Sequence, residues 1–110
     1  MKTDFTPQVR EQGGPILLLA RLHQTLPDLP AAKFDLSHIY PDRLSISVYD
    51  DLAAFEAWRT ALGFGAPTDK HHGGSSWLVV EGLVDDVPVR LTGFGATADV
   101  KALAAALVTA

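Results

Sequence analysis

The sequence predicts an α+β domain, with the order α-β-β-α-β-β-α and an antiparallel sheet carrying its helices mainly on one face. Three patterns lead there: apolar residues recur at helical spacing in three stretches, two stretches alternate apolar with polar residues and two more are strand-like with apolar residues on both sides, and turn residues join these four into two hairpins. Sheets and helices of this kind bury one apolar face each and stack in layers. No internal repeat or linker interrupts the pattern, so residues 14–110 form one domain behind an N-terminal arm, residues 1–13, which is polar, without period and expected to be flexible.

Gly13-Gly14-Pro15 opens the first helix, since proline tolerates the first turn and presets φ. Ile16, Leu19, Leu22 and Leu26 then form one stripe, and Pro27 and Pro30 end the helix, giving a span of 15–26. Lys33 to His38 alternates as a strand, Tyr40-Pro41-Asp42-Arg43 has turn chemistry, and Leu44-Ser45-Ile46-Ser47-Val48 is the cleanest alternation in the chain. Asp50 or Asp51 suits the cap of a second helix over 51–62, with Leu52, Phe55, Arg59 and Leu62 on one side and Trp58 adjacent. Phe55 and Leu62 are expected in the core. Gly63 fits a left-handed C-terminal cap onto which Phe64 folds back.

Residues 65–76 carry no period and read as a mobile loop that tolerates shortening. Strands at Trp77–Val84 and Val87–Phe94 follow, joined by a tight turn at Asp85-Asp86. Pro88 has no N–H to give a ladder, so its nitrogen must face an edge or a bulge. A last helix begins at Thr97, with Val100, Leu103, Ala104 and Leu107 as its buried stripe.

Composition narrows the function classes. The 110 residues contain no cysteine, which excludes disulfides, thiolate metal sites and a thiol nucleophile. The N-terminal sequence MKTDFTPQVREQGG has no apolar signal core, and the apolar run Ile16–Ala20 is too short to span a bilayer; a cytoplasmic protein with no membrane association is expected. The net charge is −4 and no two Lys or Arg residues are adjacent, which argues against nucleic acid as a partner. The lack of Asn, scarce Lys and abundant Ala fit a bacterial source rich in G and C.

Strand, helix and ending in Leu44-Ser-Ile-Ser-Val48, Phe55-Glu-Ala-Trp58-Arg-Thr-Ala-Leu62-Gly63-Phe64 and the strands beyond resemble the βαβββ module of the glyoxalase and vicinal-oxygen-chelate superfamily. The resemblance covers residues 44–94. It implies a metal held by His and Glu from strands, but the first matching strand has no His, with Arg43 and Leu44 near the expected place, and Glu81 has no matching partner. It also implies two modules per site, and this chain has room for one, so a homodimer would supply the second.

The polar residues give no set chemistry. His71-His72 are adjacent, so on a strand they point oppositely; a metal would need a third ligand, Asp69 or His38 brought close by the fold, and neither a metal nor any other cofactor is expected. His38, Tyr40, Asp42 and Arg43 form a polar cluster at the tip of the first hairpin, where His and Asp could serve as an acid–base pair if a cleft held them together. No Gly-x-Ser-x-Gly elbow surrounds any serine, so no catalytic residue is assigned. The reading is a non-catalytic interaction or regulatory module; the alternative is a small-molecule-binding or metal-dependent module of glyoxalase-like topology. A homodimer is expected, or another protein partner, through Trp77, Val79 and Leu83, which share one side of their hairpin.

Overall fold

The computed structural model describes residues 6–108. A turn of 3₁₀ helix (Val9–Gln12) leads into α1 (Gly13–Thr25), followed by β1 (Lys33–Leu36), β2 (Leu44–Tyr49), α2 (Leu52–Leu62), β3 (Thr68–His72), β4 (Ser75–Val84), β5 (Val87–Gly95) and α3 (Thr97–Val108). Among these residues the strands form one sheet in the order β1-β2-β5-β4-β3. Neighbours are antiparallel except β2 and β5, which run parallel. The α+β class therefore stands, with a fifth strand. Residues 1–5 of the expected arm lie outside the described residues; nearer the domain, Glu11 accepts a hydrogen bond from the Gln8 backbone N–H at 2.6 Å and closes the 3₁₀ turn.

Local chemistry accounts for most of the boundaries. The Asp51 carboxylate caps α2 by accepting from the Ala54 N–H, and Gly63 ends it at φ +72°, a left-handed position that costs glycine nothing. The Arg59 guanidinium donates to the Phe64 and Gly65 carbonyls and so ties down the same helix end. Asp85 and Asp86 both have positive φ, as a two-residue type I′ hairpin requires. That turn makes Val84–Val87 the bonded closing pair, so Pro88 opposite Leu83 points its nitrogen away from β4. On its other side β2 begins only at Val89, so no ladder bond is lost.

Two expectations are corrected. Residues 65–76 are not a loop: Thr68–His72 pair with Ser75–Val79 across a Gly73-Gly74 turn in which Gly73 has φ +60°. An edge strand with little apolar side-chain burial has no hydrophobic alternation to display, which is why the periodicity misses it. In α1 the buried stripe is Pro15, Leu18 and Leu22, whereas Ile16 is 43% exposed. Three consecutive leucines make neighbouring stripes equally apolar, so spacing alone does not select the phase; Leu19 and Leu26 pack at the margin of the core.

All three described helices lie on one face of the sheet. Leu44, Ile46 and Val48 of β2, Val87, Val89 and Leu91 of β5 and Leu78 and Val80 of β4 point into the core, joined there by Phe55, Trp58, Leu18 and Val100. Leu62 of the expected α2 stripe packs against this core only partly buried. α2 passes close over β5: a Cβ placed on Gly93 would come within 2.7 Å of the Phe55 ring.

Phe55→Ala is expected to lower stability by about 3–5 kcal/mol in urea unfolding, and Gly93→Ala by about 1–3 kcal/mol. Because the new methyl would enter the space vacated by the ring, the double variant should lose less than the sum of the two.

Candidate functional site

The helix-free face of the sheet carries the side chains of opposite parity, and strand register arranges them in rows. Asp35, Ser45, Arg90 and Glu81 form one row; Lys33, Ser47, Thr92, Val79 and Thr68 form the next; Tyr49, Phe94, Trp77 and Lys70 form the third. Beyond the first row, Leu83 stands opposite Pro88. Trp77, Val79 and Leu83 thus fall together on the open face, with Leu83 67% exposed.

Tyr49 and Phe94 extend that apolar set. Their rings stack at 4.9 Å between centroids with planes 2° apart, and Trp77 leans against the other side of Phe94 at 5.8 Å. Parallel strands place Tyr49 beside Phe94, and the antiparallel pair places Phe94 beside Trp77, so the ring row is a product of register. The parity of Ser45 and Ser47 continued by two residues would have marked Tyr49. Phe94 shares parity with Thr92 in the same way.

Charges on the face are largely paired. Glu81 and Arg90 approach to 3.4 Å and Lys33 and Asp35 to 3.7 Å, all four well exposed. Exposed pairs of this kind add little stability. Their effect is to leave the face close to neutral, with Lys70 at the end of the ring row as a further cation.

No known protein family, curated protein or solved structure matches the chain.

On the helix side, β3 brings together a hydrogen-bonded relay that the loop reading concealed. Ser76 is buried at 3% exposure, and its Oγ lies 2.8 Å from His71 Nδ1 and 2.7 Å from Thr97 Oγ1 at the start of α3. His71 Nε2 lies 2.8 Å from Asp69 Oδ2. A carboxylate only accepts, so Nε2 carries the proton; in the neutral imidazole Nδ1 then accepts from the Ser76 hydroxyl, whose oxygen accepts from Thr97. Asp, His and Ser in series resemble a nucleophilic triad in composition. Burial of Ser76 and the engagement of its oxygen on both sides leave no approach for a substrate carbonyl, so the relay fastens β3, β4 and α3 together. The i, i+2 spacing of Asp69 and His71 before Gly-Gly was the available signal. His72, the next residue, points to the opposite face.

His71 holds the Asp69 carboxyl below the usual carboxylate range, chiefly through its hydrogen bond and with help from the charge of Lys101. Among the described residues no three His, Asp or Glu side chains converge as a metal site.

His38, Tyr40, Asp42 and Arg43 sit in the β1–β2 connection. The Ser37 hydroxyl accepts from the Ile39 and Tyr40 N–H groups, Arg43 N–H donates to the Tyr40 carbonyl, and the Arg43 guanidinium lies 4.7 Å from the Tyr40 ring centroid. No His38–Asp42 hydrogen bond forms among the described residues, and both side chains face solvent. Turn formation and one cation–π contact account for the arrangement.

The depressed Asp69 pKa means that its contribution to stability is present above the ordinary carboxylate pKa of about 3.9 and is lost as pH falls through the lower folded-state value. The difference in urea midpoint between the wild type and Asp69→Asn should therefore shrink as pH is lowered from 5 towards 3.

Proposed function

We propose that this domain is a non-catalytic interaction module that acts through its open sheet face, and that the surface it meets is the same face of a second copy. The observation carrying this reading is the segregation of the described helices to one side, which leaves Tyr49, Phe94, Trp77, Val79 and Leu83 on the other. Large apolar side chains grouped on an uncovered sheet face mark an interface rather than ordinary surface.

Charge favours a self-complementary pairing. The chain carries −4, but the open face holds three cations, Lys33, Lys70 and Arg90, against two anions, Asp35 and Glu81. Two acidic molecules therefore meet with least repulsion through this face. Area is compatible as well: at about 4.8 Å between strands and about 3.3 Å per residue, the face presents on the order of 600 Å², so a pair removes on the order of 1,200 Å² from water, the lower end of the range for specific interfaces. Edge-to-edge pairing is disfavoured, because Lys33 and Asp35 on β1 and Asp69 and Lys70 on β3 place charges along both edges.

The alternative, a small-molecule-binding module of glyoxalase-like topology, draws support from one specific observation. The succession β2, α2, β3, β4, β5 supplies a strand, a helix and three strands, with β3 completing the set. That reading also calls for two modules around a site, so it shares the paired face and adds a ligand between the copies. Native mass spectrometry of the purified protein separates the two: a stoichiometric small molecule or metal favours the alternative.

Light scattering from 1 to 100 µM tests the pairing. A dimer mass is expected at the upper concentrations, and Leu83→Glu or Trp77→Ala, with circular dichroism unchanged, should shift it to monomer. A monomer mass for the wild type at 100 µM would remove the proposal.

A further inference from the structure

An apolar concavity lies on the helix side, between the C-terminal half of α1, the connection to β1, and α2. It has a volume of about 230 Å³. We infer that it is a binding site for a small, uncharged, planar aromatic molecule of about two fused rings.

Two prolines keep the site open. Pro27 and Pro30 fix φ along the connection, and the Trp58 Nε1–H donates to the Pro30 carbonyl at 2.8 Å, so the connection is held across the gap instead of collapsing onto α1. Small side chains follow where a larger one would fill the space, with Ala31 in the wall. The ring walls are aromatic: Phe34 meets Trp58 edge-on at 5.8 Å and 76°, and Phe34 remains 41% exposed at the mouth. Leu19, Leu26 and Leu29 complete the lining and are only partly buried, so they are available to a guest.

The chemistry of the lining selects the ligand. The indole N–H is already engaged by Pro30, and His23 is the one titratable side chain in the wall. No carboxylate, ammonium or guanidinium lines the site to compensate a charged guest, and an unpaired charge in an apolar pocket is strongly disfavoured. Size sets the upper limit, since apolar cavities of roughly 150 Å³ take up benzene and drug-sized ligands need roughly 300 Å³ or more. A bicyclic ring falls between these limits and can present an edge or face to both Phe34 and Trp58.

The two tryptophans give a direct test with indole as the probe. Trp58 lies at the site and Trp77 on the opposite side of the sheet, so their indole N–H resonances in an ¹⁵N–¹H spectrum report the two faces separately. Indole should shift the Trp58 resonance saturably, with Kd on the order of 1 mM for a ligand of this size, and leave Trp77 in place. Ala31→Leu, at an exposed wall position, should weaken binding at least tenfold with the thermal midpoint retained; Leu26→Trp is the second filling variant. The absence of a saturable shift at Trp58, a shift at Trp77 alone, or undiminished affinity in both filling variants would overturn the site.

Discussion

Parallel pairing of β2 with β5 is the constraint from which the remaining architecture follows. Strands that pair in parallel cannot be joined by a tight turn, so the chain must leave Tyr49, cross the sheet and return before β5 can be laid down. The crossing is made by α2, and the return is used to build β3 and β4, which pair antiparallel and bring β5 back between β4 and β2. Both β2 and β5 end at the same end of the sheet and both feed a helix, so α2 and α3 start side by side and run back over the same face. Close passage of α2 over β5 is possible only because Gly93 offers no side chain beneath Phe55. Placing the helices on one side is thus a consequence of connectivity, and the bare face is its counterpart.

The bare face is also why the molecule has a well-defined front. Its rows come from register: Tyr49 beside Phe94 through the parallel pair, Phe94 beside Trp77 through the antiparallel one. A one-residue slip of β5 against β2 would turn Phe94 into the core and place Gly93 among the aromatics, and would simultaneously drive Thr92 and Arg90 under α2. Core packing therefore enforces the alignment of the exposed rings. On the helix side the Asp69–His71–Ser76–Thr97 relay does the corresponding work for β3, an edge strand with almost no apolar burial to hold it. Polar contacts carry the edge, and apolar contacts carry the centre.

This division explains what could be read from residues alone. The second helix, with Asp51, Phe55 and Gly63, and the hairpin closed by Asp85-Asp86 are written in local chemistry and in apolar period, and each was legible. So was the grouping of Trp77, Val79 and Leu83, because parity along a strand fixes a face. β3 was illegible for a physical reason: Thr-Asp-Lys-His-His earns its place through ladder bonds and a hydroxyl–imidazole relay, neither of which leaves a periodic trace. The phase of α1 was ambiguous because Leu17, Leu18 and Leu19 satisfy more than one stripe. Tyr49 and Phe94 were missed as a pair since their adjacency depends on a long-range parallel contact that no local pattern encodes.

The two faces also differ in what they can accept. A flat surface with paired charges and rings standing against one another offers complementarity to another flat surface, but it encloses nothing, so a small ligand would remain largely in water there. The cleft beside Trp58 is the reverse: it is too small for a polypeptide and is walled on several sides by apolar side chains held apart by Pro27 and Pro30. Trp58 itself joins them mechanically, since it packs in the core with Phe55 while its indole N–H fixes the connection that forms the cleft wall. Filling the cleft would press on the α2 side of the sheet, whose other side carries the ring row. Two routes therefore link the cleft to the open face: β1, whose Phe34 forms a cleft wall and pairs with Ile46 of β2, and α2, whose Phe55 packs onto Gly93 with no room for a side chain between them.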